Sequence, residues 1–154
     1  DTDRSRGLGD VYKRQMYMNN DQARNAMLDY DAYYKAVNGQ VNDLFYYYRE
    51  QAALKARQYQ RALDDIVKAI ELSPKDLTYR AEHAVVNLRV GRYEESMKIL
   101  NEILKDEPKY GEAYRLLGLC QIQLKKTDEA CGNFNKAKEL GDPNVDELIK
   151  KYCK

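Results

Sequence analysis

Residues 111–143 read GEAYRLLGLCQIQLKKTDEACGNFNKAKELGDP, and this stretch decides the fold. Small residues stand at its eighth and twentieth positions, Gly118 and Ala130. Phe134 and Ala137 follow at an i, i+3 spacing, which places them on one face of a helix. The pattern predicts two antiparallel helices whose backbones approach at the small residues.

The same pattern recurs upstream on a step of 34 residues, the distance between Pro74 and Pro108. Copies counted from Asp43, Leu77 and Gly111 align without a gap. Their eighth, twentieth, twenty-fourth and twenty-seventh positions are Glu50, Ala62, Ile66 and Ala69; Ala84, Ser96, Leu100 and Ile103; and Gly118, Ala130, Phe134 and Ala137. A fixed period of this length is typical of stacked helical repeats.

The repeat resembles the tetratricopeptide family, whose pattern is followed best by Tyr114, Leu117, Gly118, Ala130, Phe134 and Ala137. The resemblance covers Asp43 to Pro143. It implies an all-α, right-handed solenoid of antiparallel helix pairs, with full repeats at 43–76, 77–110 and 111–142. A partial repeat precedes them at 16–42, with its second helix at about 21–37, and a capping helix and tail follow at 143–154.

Two positions depart from the family pattern. Glu50 stands where the family has Gly or Ala, and burying an unpaired carboxylate is costly, so we expect it to point outward or to pair with Arg57 or Arg61. Pro143 falls one position late. The run Gly141-Asp142-Pro143 predicts a helix stop, an N-cap and the first residue of a further helix.

Residues 1–15 are predicted to be foreign to the protein. Residues 5–15, SRGLGDVYKRQ, can be encoded by a sequence that matches a transposon-end adapter of sequencing libraries. A segment of this origin would have no part in the fold or function of the protein. Because the repeat at 16–42 is partial, we expect the natural protein to extend upstream and this chain to be a fragment of it. We also expect the protein to be of bacterial origin.

Charge and hydropathy exclude two classes of partner. Residues 1–15 hold four basic and three acidic groups, so removing them from totals of 26 and 25 leaves 22 of each. A chain without net charge offers no general attraction for nucleic acid. No run of about 18 apolar residues is present, so no membrane-spanning helix is predicted.

The sequence predicts no catalytic, metal or cofactor site. His83 is the single histidine, and the chain lacks a Cys/His cluster and a glycine-rich phosphate loop. We interpret His83 as a partly buried structural residue. The adjacent carboxylates Asp64-Asp65 and Glu94-Glu95 point in different directions on a helix and are interpreted as solvated faces.

The family resemblance implies a concave groove lined by the first helix of each repeat. The predicted groove residues are Tyr47, Gln51, Leu54, Lys55, Thr78, Val85, Leu88, Arg89, Glu112, Arg115, Leu119, Ile122 and Gln123. An apolar floor with a partly cationic edge would suit an extended peptide or an amphipathic helix with some acidic residues. The alternative is that Val85, Leu88, Leu119 and Ile122 pack beneath a neighbouring helix or beneath missing repeats.

The sequence argues against one subfamily of tetratricopeptide proteins, the chaperone adaptors. Chaperone adaptors hold an acidic C-terminal tail with Lys, Asn and Arg at defined positions. This chain has Tyr47 and Gln51, then Glu82, then Glu112 and Leu116 at those positions. Because two carboxylates replace cations or an amide, the sequence predicts no carboxylate clamp.

Cys131 lies ten residues before Gly141, and Cys153 lies ten residues after Pro143. In two antiparallel helices joined at that turn, both cysteines lie about 15 Å from it. This symmetry predicts a possible disulfide, which would favour a periplasmic or exported location over a cytoplasmic one. The alternative is two free thiols in a cytosolic protein, and Cys120 is expected to be a buried thiol in either case.

These features predict a protein-interaction module whose partner is an unknown protein or peptide. The alternative is a regulatory or adaptor appendage of a larger enzyme whose catalytic part lies upstream.

Overall fold

A computed structural model describes residues 20–154, and within that range the chain forms eight helices and no strand. The helices are α1 (Asn20–Ala36), α2 (Asp43–Lys55), α3 (Tyr59–Leu72), α4 (Leu77–Arg89), α5 (Tyr93–Asp106), α6 (Gly111–Gln123), α7 (Thr127–Glu139) and α8 (Asp146–Tyr152). The predicted all-α solenoid of helix pairs is confirmed. The predicted adapter segment, residues 1–15, lies outside the described residues.

The 34-residue period is also present in the backbone. The three turns inside the helix pairs each contain one residue of positive φ: Arg57 at 59°, Gly91 at 82° and Lys125 at 60°. A left-handed residue ends one helix and redirects the chain into the next. Only the central turn uses glycine. The sequence therefore indicates a left-handed residue in one of the three turns, whereas the structure has one in each of them.

The chain divides into two compact units, with Tyr79 ending the first and Arg80 beginning the second. The first contains α1, α2 and α3, and α1 is followed by a turn in which Asn38 and Gly39 adopt φ values of 52° and 72°. The second contains most of α4 and all of α5 to α8. None of the described helices is long and apolar enough to cross a membrane.

A buried ion pair between α2 and α3 lies in the first unit. Arg49 donates from Nε and Nη2 to the two carboxylate oxygens of Asp65 at 2.8 and 2.7 Å. The two side chains are 13% and 5% exposed. Asp31 on α1 lies 3.5 Å from Arg49 and also pairs with Arg61. The interpretation of Asp65 as solvated is therefore wrong.

Aromatic rings surround the Arg49 guanidinium, and each member of this buried pair shifts the pKa of the other. The Arg49 guanidinium lies 5.1 to 5.8 Å from the ring centres of Tyr34, Phe45 and Tyr46. Burial disfavours the charged guanidinium, but the Asp65 hydrogen bonds and the nearby charges of Asp65 and Asp31 together outweigh it and raise the pKa of Arg49. Burial raises the pKa of Asp65, and the Arg49 hydrogen bonds oppose that rise.

Glu50 departs from its expected placement. Its side chain is completely buried, and Gln51 Nε2 donates to its Oε2 at 2.9 Å. Arg61 pairs with Asp31 on α1 and donates to Gln58. The expectation that Glu50 points outward is therefore wrong, because a neighbouring amide supplies a polar contact inside the helix pair.

The core of the second unit depends on close backbone approach at the small positions. A methyl group added to Gly118 would lie 2.4 Å from a ring carbon of the fully buried Phe134. Ser96 fills the same role in the preceding pair, and its hydroxyl donates to the Ala84 carbonyl at 2.7 Å. These contacts give the small residues of the repeat a direct packing function.

The capping helix begins later than the sequence predicts. It starts at Asp146, so Pro143 is not its first residue. Asp142 instead forms a turn in which its Oδ1 accepts from Asn144 N at 2.7 Å, and its carboxylate is also bound by Arg115. A side chain engaged on both sides stabilises the turn and delays helix formation.

Candidate functional site

In the first unit, the predicted groove residues occupy one face of α2. Tyr47, Gln51, Leu54 and Lys55 follow helical spacing, and each side chain is half-buried. Thr78 is exposed at the start of α4. The Tyr47 ring centre lies 5.2 Å from that of Tyr79, whose hydroxyl donates to Asp43. This face is therefore aromatic and partly accessible.

In the second unit, the predicted residues come from α4 and α6. Val85 and Leu88 are half-buried, and Arg89 is exposed at the end of α4. Their spacing of i, i+3 and i+4 places them on one side of the helix. On α6, Gln123 is exposed, and the remaining predicted residues, Glu112, Arg115, Leu119 and Ile122, are half-buried.

Arg115 is occupied by contacts within the second unit. Its Nε lies 3.0 Å from Asp142 Oδ2, and its Nη2 lies 3.1 Å from Glu112 Oε1. The Asp142 side chain is only 3% exposed. The Tyr110 hydroxyl donates to Glu112 Oε2 at 2.7 Å. Burial, and to a smaller extent this hydrogen bond, raises the pKa of Tyr110. Arg115 therefore stabilises the turn after α7 and is not a free cation for a peptide.

Leu119 and Ile122 pack against a buried cluster at the C-terminal end. The cluster comprises Ala130, Phe134, Ala137 and Val145, and the other partly buried residues that pack on it are Tyr114, Leu148, Ile149, Tyr152 and Cys153. For Leu119 and Ile122, this placement agrees with the alternative that they pack beneath a neighbouring helix. The groove assignment of Val85 and Leu88 stays a prediction.

Sequence reasoning missed a groove of about 710 Å³ beside α5, here called the α5 groove. It is lined by Glu94, Met97, Lys98, Asn101, Glu102, Lys105, Leu124 and Lys126. Residues 94, 98, 101, 102 and 105 form a polar stripe at helical spacing, which is the signal that was available in the sequence. Its mixed charges make it the competing location for a binding site.

Cys131 and Cys153 are joined by a disulfide, with their Cα atoms 5.7 Å apart. This distance lies within the range that disulfides require. Cys120 is a buried free thiol whose Sγ donates to Ser96 Oγ at 3.4 Å, and burial raises the pKa of Cys120. Within the described residues, no group of three or more His, Cys, Asp and Glu side chains is placed to hold a metal ion.

His83 is half-buried on α4, and its backbone carbonyl accepts from Asn87 Nδ2 at 2.9 Å. Burial lowers the pKa of His83 below its ordinary value, and the nearby Glu95 carboxylate partly opposes this. The folded state therefore binds a proton less readily than the unfolded state.

We expect the free energy of unfolding to fall as the pH is lowered from 7.5 to 5.5. The reason is that His83 takes up its proton at a higher pH in the unfolded chain than in the folded chain. The slope from this residue cannot exceed about 1.4 kcal/mol per pH unit. Urea unfolding of the wild type and of His83→Leu, followed by circular dichroism, measures it. Equal pH slopes in the two proteins would contradict the assignment.

Two family models match the sequence. The model described as "Anaphase-promoting complex, cyclosome, subunit 3" matches residues 19–103, which is more than half of the chain. The model described as "Tetratricopeptide repeat" matches residues 82–145. Heat shock protein STI1 of Saccharomyces cerevisiae is 32% identical over 101 residues, which is 63% of this chain and 17% of that protein. The chain spans 28%, 17% and 29% of the length of three curated relatives.

Solved structures share the fold. "Crystal structure of YrrB: a TPR protein with an unusual peptide-binding site" has a TM-score of 0.70 at 18% identity and covers 85% of this chain and 66% of that chain. "First TPR of Spaghetti (RPAP3) bound to HSP90 peptide SRMEEVD" has a TM-score of 0.63 at 21% identity and covers 72% and 87%. At these identities the likeness shows the fold alone.

The exclusion of chaperone-tail binders is wrong. The relatives of this chain include heat shock protein STI1, and its fold is shared by a repeat domain bound to an HSP90 peptide. From its position in the sequence, the Glu112 carboxylate is expected to oppose binding of an acidic tail. That carboxylate is held by Arg115 and by the Tyr110 hydroxyl, so it repels an acidic peptide less than its position suggests.

Proposed function

Because this chain belongs to the tetratricopeptide-repeat family, we propose that it captures an acidic C-terminal segment of a partner protein. Tetratricopeptide repeats form protein-interaction modules, and the finer assignment rests on the second unit. There, Arg89 is exposed next to the half-buried Val85 and Leu88 on the same side of α4. An apolar strip ending in a cation suits a short peptide that carries both apolar residues and carboxylates.

This proposal rests on the exposed position of Arg89 at the end of α4. Within residues 20–154, no carboxylate lies within ion-pair distance of its guanidinium, in contrast to Arg115. A bidentate bond between guanidinium and carboxylate is among the stronger polar contacts available to a peptide. The peptide SRMEEVD, known from the RPAP3 complex, offers two glutamates, an aspartate and a terminal carboxylate.

The test is fluorescence polarisation with labelled SRMEEVD and with a matched peptide, SRMQQVN amide, that lacks all four carboxylates. We expect saturable binding of the first peptide alone. Arg89→Glu should weaken that binding about tenfold, since a repulsive charge replaces an ion pair. Lys98→Glu in the α5 groove makes the same charge change elsewhere and should alter binding less than twofold.

Two outcomes would contradict the proposal. Loss of binding in Lys98→Glu with normal binding in Arg89→Glu would place the site in the α5 groove. Absence of saturable binding up to millimolar peptide would exclude this class of peptide. Circular dichroism at 222 nm verifies that both variants keep their helices. This method is used because the chain has no tryptophan whose fluorescence could report folding.

A role as an adaptor segment of a larger enzyme is the second proposal, supported by the similarity to serine/threonine-protein phosphatase T of Aspergillus oryzae, which is 29% identical over 99 residues. Location in an oxidising compartment such as the periplasm is also a proposal. The bonded sulfurs of Cys131 and Cys153 support it, and trapping of free thiols in intact cells would test it.

A further inference from the structure

The C-terminal helix α8 packs on the same buried cluster as two predicted groove residues. Leu119 and Ile122 reach this cluster from α6, while Leu148 and Tyr152 reach it from α8. The Tyr152 ring stacks 6.4 Å from that of Phe134. Displacing α8 would therefore expose apolar surface beside the first-helix residues of the last repeat.

Noncovalent contacts hold α8 only weakly. The helix has seven residues, none of them buried, and helices of this length are not stable by themselves. Its ion pair to α7 joins Lys138 and Asp146, whose side chains are 60% and 71% exposed. Exposed pairs of this kind contribute little. Val145 is completely buried and fixes the start of the helix.

The end of α8 is fixed covalently. Cys153 directly follows the helix and is bonded to Cys131 on α7, 22 residues earlier in the chain. With Val145 at one end and the disulfide at the other, α8 cannot leave the cluster while the bond is intact. Without the bond, its second half is held only by half-buried side chains.

We propose that the Cys131–Cys153 disulfide is a redox latch for α8. A dithiol reductant transfers two electrons to the bond and itself becomes a disulfide. The S–S bond breaks, and the two sulfurs take up two protons to become thiols. The second half of α8 then opens and uncovers the cluster next to Leu119 and Ile122. Opening of α8 does not depend on peptide binding, so the latch can be tested independently of the proposed function.

Hydrogen–deuterium exchange of the full chain, with and without dithiothreitol, tests the latch. We expect reduction to speed exchange in residues 148–153 about tenfold or more, because a restraint on local opening is lost. Exchange in α2 and α3 should not change. Cys131→Ser should show the fast pattern without reductant, whereas Cys120→Ser, which alters the buried free thiol, should keep the slow pattern.

Two results would overturn the latch. Equal protection of residues 148–153 in the oxidised and reduced wild type would show that noncovalent packing alone holds α8. A uniform rise of exchange in all helices would show that the disulfide supports the whole fold and not α8 in particular. Both comparisons use the wild-type chain, so they remain decisive if Cys131→Ser folds poorly.

Discussion

Replacing Asp65 with alanine is expected to lower the free energy of unfolding by about 3–5 kcal/mol. The Arg49 side chain is only 13% exposed. The substitution removes the two hydrogen bonds from its guanidinium to Asp65. Asp31, at 3.5 Å, compensates only in part because it also pairs with Arg61. Urea unfolding followed by circular dichroism measures the loss.

Asp64→Ala is the matched control. Asp64 is the same residue type on the same helix, but it is exposed, and its Oδ1 accepts from Gln60 Nε2. Its replacement should cost less than about 0.5 kcal/mol. The double variant Arg49→Met, Asp65→Leu should recover part of the loss, since it removes both charges together. Equal stabilities of Asp65→Ala and Asp64→Ala would show that the buried pair is not required.

Gly118→Ala is expected to destabilise the chain by about 1–3 kcal/mol, although alanine is the better helix former. Helix propensity alone would favour alanine by about 1 kcal/mol. The added methyl group would lie 2.4 Å from a ring carbon of Phe134, which is completely buried. Packing therefore outweighs propensity at this position.

Gly132→Ala makes the same substitution inside α7, where an added methyl group meets nothing within 4 Å. It should stabilise the chain by up to about 1 kcal/mol. Thermal unfolding of the two variants beside the wild type should thus give shifts of opposite sign. Shifts of the same sign would refute close packing between α6 and Phe134.

The helix pairs could be predicted from the sequence because their signal is repeated. Helices α2, α4 and α6 begin at Asp43, Leu77 and Gly111, the residues from which the repeats are counted. The small residues Ala84 and Gly118 also lie at close contacts, as the pattern indicates. Arg57 and Lys125 were not recognisable as left-handed turn residues, because side chains other than glycine rarely adopt that conformation.

The roles of the charged residues could not be predicted in the same way. Helical spacing shows which face a residue occupies, but not which partner another helix brings to it. Asp65 is buried by Arg49 from α2, and Arg115 is engaged by Asp142 from a turn 27 residues later. The interpretation of Asp65 as solvated and the exclusion of acidic tails failed for this reason.

An amide NMR titration of the 18.0 kDa chain with SRMEEVD examines whether the proposed face of α4 binds an acidic peptide. We predict saturable shifts at Val85, Leu88 and Arg89, with little change along α5 from Met97 to Lys105. Shifts confined to α5, or no shifts at millimolar peptide, would contradict capture of an acidic tail by α4.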